Sequence, residues 1–249
     1  MAEITGDAID YDNPPFPLTA IDREVLATKD EDYHRTTWED LKRIIGKCAS
    51  RADIGLHALH FLPGLCILRY NRLTRGKATN SLEQLKRLPS DLRRYLAWSY
   101  DIKKRYGGIT NFVIQERLHW TSNPARSGKG PVFEHRSDVP FADHRDFAVL
   151  QNDWPYGFQE GIVHLLVWSK TPIAVDDVQG DVTPKDRKVI DDFVREYFVK
   201  PLGEGGNEKV QWFKNWVSLQ SVRGVDHVHV LVRDAPSDLL ERWIERNDL

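Results

Sequence analysis

The run Asp226-His227-Val228-His229-Val230-Leu231-Val232 is the stretch that most restricts what this chain can fold into. Its valines repeat at every second position, the period of a strand whose side chains alternate between two faces. His227 and His229 then share one face, and Val228, Val230 and Val232 share the other. Such a strand buries a dry valine face and presents two imidazoles together. Paired imidazoles can hold a phosphate or a metal. The plainer reading is a core strand with two half-buried polar residues.

Upstream, the chain divides into a helical front and a strand-rich remainder. Residues 1–18 are acidic and end in Asn13-Pro14-Pro15-Phe16-Pro17-Leu18, an extended arm that docks through Phe16 and Leu18. A short helix is predicted near Thr19 to Ala27. Thr36 opens a second, with Glu39 as its capping-box partner and Trp38, Leu41, Ile44, Ile45 and Cys48 on one stripe. Leu82, Leu85 and Leu88 suggest a short helix, and Ser90 caps another that Gly107-Gly108 stops. The period then changes. Strands are predicted at Ile109 to Leu118, Phe147 to Leu150, Ile162 to Trp168 and Trp212 to Val222, besides the histidine run. Thr183, Pro184 and Asp186 start a helix over residues 184–199, and Ser237 caps a last one.

Clustered strands with helices outside them predict an α+β fold, a mostly antiparallel sheet with an N-terminal helical cover. The expected division is an arm and helical region over residues 1–108 and a sheet domain over 109–249, joined in one globule. The glycine-rich pieces match neither GxxxxGK[ST] nor GxGxxG, which disfavours a nucleoside-triphosphate kinase or a dinucleotide fold.

Charge and cysteine content narrow the function classes. A formal net charge of −2 gives no overall drive toward nucleic acid or an anionic membrane, and neither is expected as a partner. Residues 35–105 hold sixteen bases and six acids, read here as the solvated sides of helices. Cys48 and Cys66 are the only cysteines; both look like small core residues of a reducing compartment, without a disulfide. The acidic start and the short apolar runs predict an intracellular protein, cytoplasmic or nuclear, outside the membrane. His57 and His60 fit one helical face but lack a third ligand nearby, so no metal and no cofactor are expected.

Two resemblances extend this reading. Leu92-Arg93-Arg94-Tyr95-Leu96-Ala97-Trp98, Glu116-Arg117-Leu118-His119-Trp120, the stretch NDWPYGFQEGIVHLLVWSK at 152–170 and the segment from Trp216 to Arg233 resemble the fungal N-acetylglucosamine-induced protein family. That family is defined by a domain of unknown function; the resemblance implies a fungal intracellular protein with a link to amino-sugar or cell-wall metabolism. Over residues 146–233 the chain is also similar to the histidine-triad nucleotide-binding superfamily. Phe147-Ala148-Val149-Leu150, Asn152-Asp153-Trp154-Pro155 and His164-Leu165-Leu166-Val167 with Lys170 match its opening. Gln220-Ser221-Val222 and His227 to Arg233 match its end. A full triad has three alternating histidines and this chain has two. In the preferred register Val225 replaces the first member and His227 is the nucleophile; in the other, His229 is the nucleophile and Leu231 replaces the third.

The resemblance implies a nucleotidyl transferase or phosphohydrolase acting on a nucleotide or nucleotide-sugar. His227 would attack phosphorus as an unprotonated imidazole and His229 would protonate the leaving oxygen. Gln220 and Ser221 would donate to phosphate oxygens, and Asp153 would accept from ribose hydroxyls. His164, Asn215, Trp154 and Lys170 complete the candidate ligand contacts. One or two of Trp154, Tyr156, Trp168, Trp212 and Trp216 would line the pocket. The competing readings are a non-catalytic binding or regulatory protein, and a metal site built from His164, His227 and His229.

Overall fold

The structure is a computed structural model that describes residues 9–46, 80–123, 130–176 and 180–245. His57, His60, Cys48 and Cys66, with the readings attached to them, lie outside the described residues. Thr19 caps the first helix, α1 (Ala20–Leu26), in a reciprocal box with Asp22. A second box opens α2 (Trp38–Leu41), which continues as a π-helical turn over Lys42–Gly46, one residue later than expected. Thr37 and Asp40 form that box, at 3.2 and 3.1 Å, and not Thr36 and Glu39. Thr36 is occupied by backbone pairing, its amide donating to the Gly157 carbonyl at 2.8 Å and its carbonyl accepting from Gln159 at 3.0 Å.

Ser90 likewise lies inside a helix and does not cap it. The helix α3 (Pro89–Tyr106) starts on Pro89, whose missing N–H is no loss in a first turn. The Asp30 carboxylate supplies the acceptor from another segment, taking the Ser90 amide at 2.8 Å and also its hydroxyl. Gly107, at φ 73°, ends α3 in the left-handed conformation that glycine adopts without cost.

The largest correction follows. Residues 109–118 are a helix and not a strand: α4 (Ile109–Phe112) runs on as π-helical Val113–Leu118. Its β-branched residues suggested a strand, but tertiary burial overrides that preference. Ile109, Val113, Ile114 and Leu118 are all buried, packed in one cluster with Ile102, Ala148 and Trp168.

After a small ribbon of β1 (Ser122–Asn123) and β2 (Val132–Phe133), the main sheet is built from β3 (Phe147–Gln151), β4 (Ile162–Ser169), β5 (Val210–Phe213) and β6 (Asp226–Arg233). All pairs are antiparallel, in the order β3-β4-β6-β5, so the fold is α+β and the histidine strand is internal. β4 and β6 pair along their full length, from Ile162 opposite Arg233 to Ser169 opposite Asp226. The strand expected over Trp212 to Val222 is shorter. Only Val210–Phe213 pairs with β6, and the chain then leaves the sheet through a 3-10 turn at Val217–Leu219. The Gln220 side chain donates to the Asn215 carbonyl at 2.8 Å and closes that departing segment on itself.

Two helices cover one face of the sheet: α5 (Pro184–Val194, continued through Val199) and α6 (Ser237–Glu245). Ile190, Val194, Phe198, Leu239 and Trp243 pack there on Val149, Leu165, Val167, Val228, Val230 and Val232. Each such side chain contributes roughly 1.5–3 kcal/mol by leaving water. The other face carries the histidines. Trp38 and Leu41 of α2 meet Phe213 and Leu231 on it, and α3 and α4 cover Ala148 and Trp168. Among the described residues, no helix is long and apolar enough to cross a membrane.

Candidate functional site

Strand register sets the site. On the face away from the valines, Trp168 stands opposite His227, Leu166 opposite His229, and His164 opposite Leu231. β5 stops at Phe213, opposite His229, whose ring stacks on the phenyl with centroids 4.5 Å apart and planes 4° from parallel. Where the chain leaves the sheet, a cavity of about 510 Å³ opens, a usual size for a small-molecule site. The departing segment walls one side with Asn215, Ser218, Gln220 and Ser221; Tyr95 and Trp98 of α3, α4, and the loop bearing Asp153, Trp154 and Tyr156 wall the rest. Gly157 lets that loop come close. A Cβ there would lie 2.8 Å from the Tyr33 ring and 3.2 Å from the Leu88 amide.

His227 lines the cavity and is 6% exposed. Its Nδ1 donates to the Val225 carbonyl at 2.9 Å, which assigns the proton to Nδ1 and the lone pair to Nε2. Burial, with the nearby Lys214 ammonium adding to it, pushes its pKa down to about 4, so the ring is neutral at pH 7. Trp168 packs on it at 4.4 Å. Lys214 is itself buried and paired with Asp226 at 2.9 Å.

His229 also lines the cavity, but both its nitrogens are engaged. The Asn215 amide, which also donates to the Tyr156 hydroxyl at 3.1 Å, donates to Nε2 at 3.1 Å. The His229 proton therefore sits on Nδ1 and donates to His164 Nε2 at 2.9 Å. Behind it, the Asn152 amide nitrogen lies 3.2 and 3.4 Å from the two ring nitrogens of His164. Burial holds His229 well below the usual imidazole range and, aided by the Arg87 charge, lowers His164 to about 3. All three rings are neutral, and two of them serve each other.

The structure brings most of the expected residues together. Asp153, Trp154, Asn215, Gln220, Ser221, His227 and His229 line the cavity, and His164 adjoins it through His229. Lys170 does not. β4 ends at Ser169, the alternation lapses, and the Lys170 ammonium donates to the Arg145 carbonyl at 2.7 Å and lies over Trp120. Of the five aromatics, Trp154, Tyr156 and Trp168 line the cavity. Trp212 donates instead to Asp191 at 2.7 Å, and Trp216 packs with the α2 cluster. Asp153 is ion-paired with Arg117 at 2.8 Å. Among the described residues, no group of three or more His, Cys, Asp or Glu is placed to hold a metal ion.

Arg87, Arg117, Tyr95 and Trp98 were missed. All four sit in amphipathic helical or basic surroundings, where an arginine or an aromatic ring reads as an ordinary helix face. Among the described residues, six buried side-chain polar atoms lack a protein partner, and four belong to cavity residues: Arg87 Nε, Trp154 Nε1, Trp168 Nε1 and Asn215 Oδ1.

Comparison with known proteins adds no chemistry to this geometry. A family described as "Protein of unknown function (DUF3605)" matches residues 69–233. N-acetylglucosamine-induced protein 1 of Candida albicans is 29% identical over 176 residues, covering 67% of this chain and 68% of its own length. An uncharacterized protein of Saccharomyces cerevisiae is 31% identical over 156 residues, covering 62% and 73%. Among solved structures, the crystal structure of HTC1 overlaps with a TM-score of 0.46 at 25% identity, covering 73% of this chain and 90% of that one.

Proposed function

The chain belongs to the DUF3605 family, and we propose that its cavity is the active site of a nucleotidyl transferase or phosphohydrolase with a histidine nucleophile. The observation that carries this reading is His227: a neutral imidazole in a cavity wall, its Nδ1–H held by the Val225 carbonyl and its Nε2 carrying the lone pair. In the reaction, Nε2 forms a bond to phosphorus as the bond to the leaving oxygen breaks and that oxygen takes the electron pair. Water or another acceptor hydroxyl then adds to phosphorus and loses its proton to solvent, and the N–P bond breaks to restore the imidazole. Ser221 and Gln220 donate to the phosphate oxygens, and Asp153 keeps an oxygen for a ribose hydroxyl beside its pair with Arg117. Asn215 and His164 hold His229 in place, so His229 acts in this scheme as a fixed neighbour of the nucleophile and not as the acid that the sequence suggested. The ligand is a nucleotide or nucleotide-sugar, and a cytoplasmic or nuclear setting supplies both. Because one relative is named for induction by N-acetylglucosamine, nucleotide-sugars are the first substrates to try.

A second reading has an observation of its own. With His229 fully engaged and Val225 where the triad resemblance expects a third imidazole, the cavity would bind the ligand without turning it over. One experiment separates the two. The chain is incubated with nucleotide-sugars, dinucleoside polyphosphates and nucleoside phosphoramidates, while product release and intact mass are followed. Turnover with an acid-labile nucleotidyl adduct, both lost in His227→Ala, is the expected result. Binding without adduct or product in the wild-type chain leaves the non-catalytic reading, and unchanged turnover in His227→Ala removes the nucleophile.

A further inference from the structure

Within that proposed function, on which this inference rests, Arg87 stands out among the charged residues of the cavity wall. Asp22 is taken up by its capping box with Thr19, Asp153 and Arg117 neutralise each other at 2.8 Å, and Glu83 lies exposed at the rim. Arg87 has no ion pair and no hydrogen bond to any described residue, and its Nε is buried without an acceptor. What it has is a platform: its guanidinium lies 3.9 Å from the Tyr95 ring centroid and 5.6 Å from that of Tyr156. Tyr156 in turn stacks on His164 at 5.6 Å and on His229 at 6.3 Å, so the cation stands one side chain from the histidine network. A guanidinium stacked on a tyrosine keeps its planar N–H fork unspent, the form suited to two oxygens of a phosphate.

The same wall carries flat rings. Tyr95, Trp98 and Trp154 form one cluster with centroid distances of 6.0, 5.7 and 5.1 Å, and all three are half-buried on the cavity. Nucleobases stack on such rings. We infer that this end of the cavity is a nucleoside-phosphate subsite, in which Arg87 holds a phosphate and the Trp98–Trp154 wall stacks the base. A phosphate joined to a flat ring uses both halves at once; a sugar phosphate uses only the first.

Calorimetric titration of the full chain with adenosine and uridine monophosphates, the free nucleosides and ribose 5-phosphate tests this. Losing a charge-assisted hydrogen bond corresponds to about tenfold or more in affinity. Arg87→Gln should therefore weaken both monophosphates at least about tenfold while leaving the free nucleosides nearly unchanged. Trp154→Ala should weaken nucleosides and monophosphates alike. Arg87→Lys, which keeps the charge and guards against a folding defect in the glutamine variant, should recover part of the phosphate term. Equal losses for nucleoside and monophosphate in Arg87→Gln, ribose 5-phosphate binding as tightly as the nucleotides, or no nucleotide binding by the wild-type chain would each overturn the subsite. Turnover kept in His227→Ala, with Arg87→Gln still losing the monophosphates selectively, would fail the catalytic scheme and leave the subsite standing; turnover lost in His227→Ala, with no selective loss in Arg87→Gln, would fail the subsite alone.

Discussion

The two faces of the central sheet use the same strands for opposite purposes. On the face covered by α5 and α6, Val228, Val230 and Val232 meet Leu165, Val167 and Val149, all essentially unexposed and all hydrocarbon. On the other, one residue out of phase, His164, His227 and His229 are buried to a similar degree beside a cavity, the first and last hydrogen-bonded to each other and His227 to the Val225 carbonyl. The second face is the costlier one to build, because each buried nitrogen needs a partner. Asn215 supplies one only because the chain leaves the sheet after Phe213, and the Val225 carbonyl supplies another from just ahead of β6. Aliphatic burial is concentrated on the face where the period runs unbroken, and the cavity with its polar groups on the face where it is interrupted.

One substitution made on both faces gives the largest expected difference. Val230→Asn places an amide among aliphatic groups with nothing to bond, and should cost about 3–5 kcal/mol in lost packing and unpaired polar atoms. His229→Asn keeps an amide at the Nδ1 position within reach of His164, and should cost about 1–3 kcal/mol through the lost Asn215 bond and the lost stacking on Phe213. Urea denaturation measures both. If His229→Asn is as damaging as Val230→Asn, the histidine face is packing in disguise and the contrast fails.

A smaller difference comes from pH, to which the valine face contributes no titrating group. His227 and His164 ionise at about 4 and about 3 in the folded chain, against about 6.5 for a free imidazole. Below pH 6.5 the unfolded chain binds protons that the folded rings refuse. The stability they contribute is complete above pH 6.5 and declines as pH falls, by up to about 1.4 kcal/mol per unit for each ring, until about 4 for His227 and about 3 for His164. Asp40, held down to about 2 by its bonds to Thr37, and Glu196, held down by Lys200, add their own losses only below about pH 5, so the interval from 6.5 to about 5 belongs to the imidazoles. The urea midpoint should fall across that interval and fall less in His227→Gln. A flat midpoint would mean the rings accept protons in place.

Elements whose signal is local were legible in the sequence. β4, β6 and α5 combine a clean period with caps such as Thr183 and bounds within a residue or two. The start of α2 was off by one because Thr36 and Thr37 each have an acid three residues on, and only the Gly157 pairing decides between them. Ile109 to Leu118 was misread because its β-branched content outweighed a helical face that shows itself only once Ile102 and Trp168 are beside it. In the site, the imidazoles were visible because alternation places them, and Ser221 because the triad resemblance does. Arg87 was not, since a basic residue between leucines looks solvated until Tyr95 and Tyr156 are folded around it.

Lys170 gives the smallest effect and the sharpest check on where the histidine face ends. The histidine-triad resemblance made it a ligand candidate, and counting by twos from His164 puts it on that face with Leu166 and Trp168. β4 stops at Ser169, the Lys170 amide turns to the Asp146 carbonyl at 2.8 Å, and the ammonium leaves toward Arg145 and Trp120. An exposed cation over an aromatic ring contributes about 0.5–1 kcal/mol, so Lys170→Ala should lower stability by no more than that. It should leave nucleoside-monophosphate affinity unchanged, measured in the same titration as Arg87→Gln. A loss of affinity matching that of Arg87→Gln would place the phosphate at the Lys170 end of β4 and move the binding face one step past the strand's last paired residue.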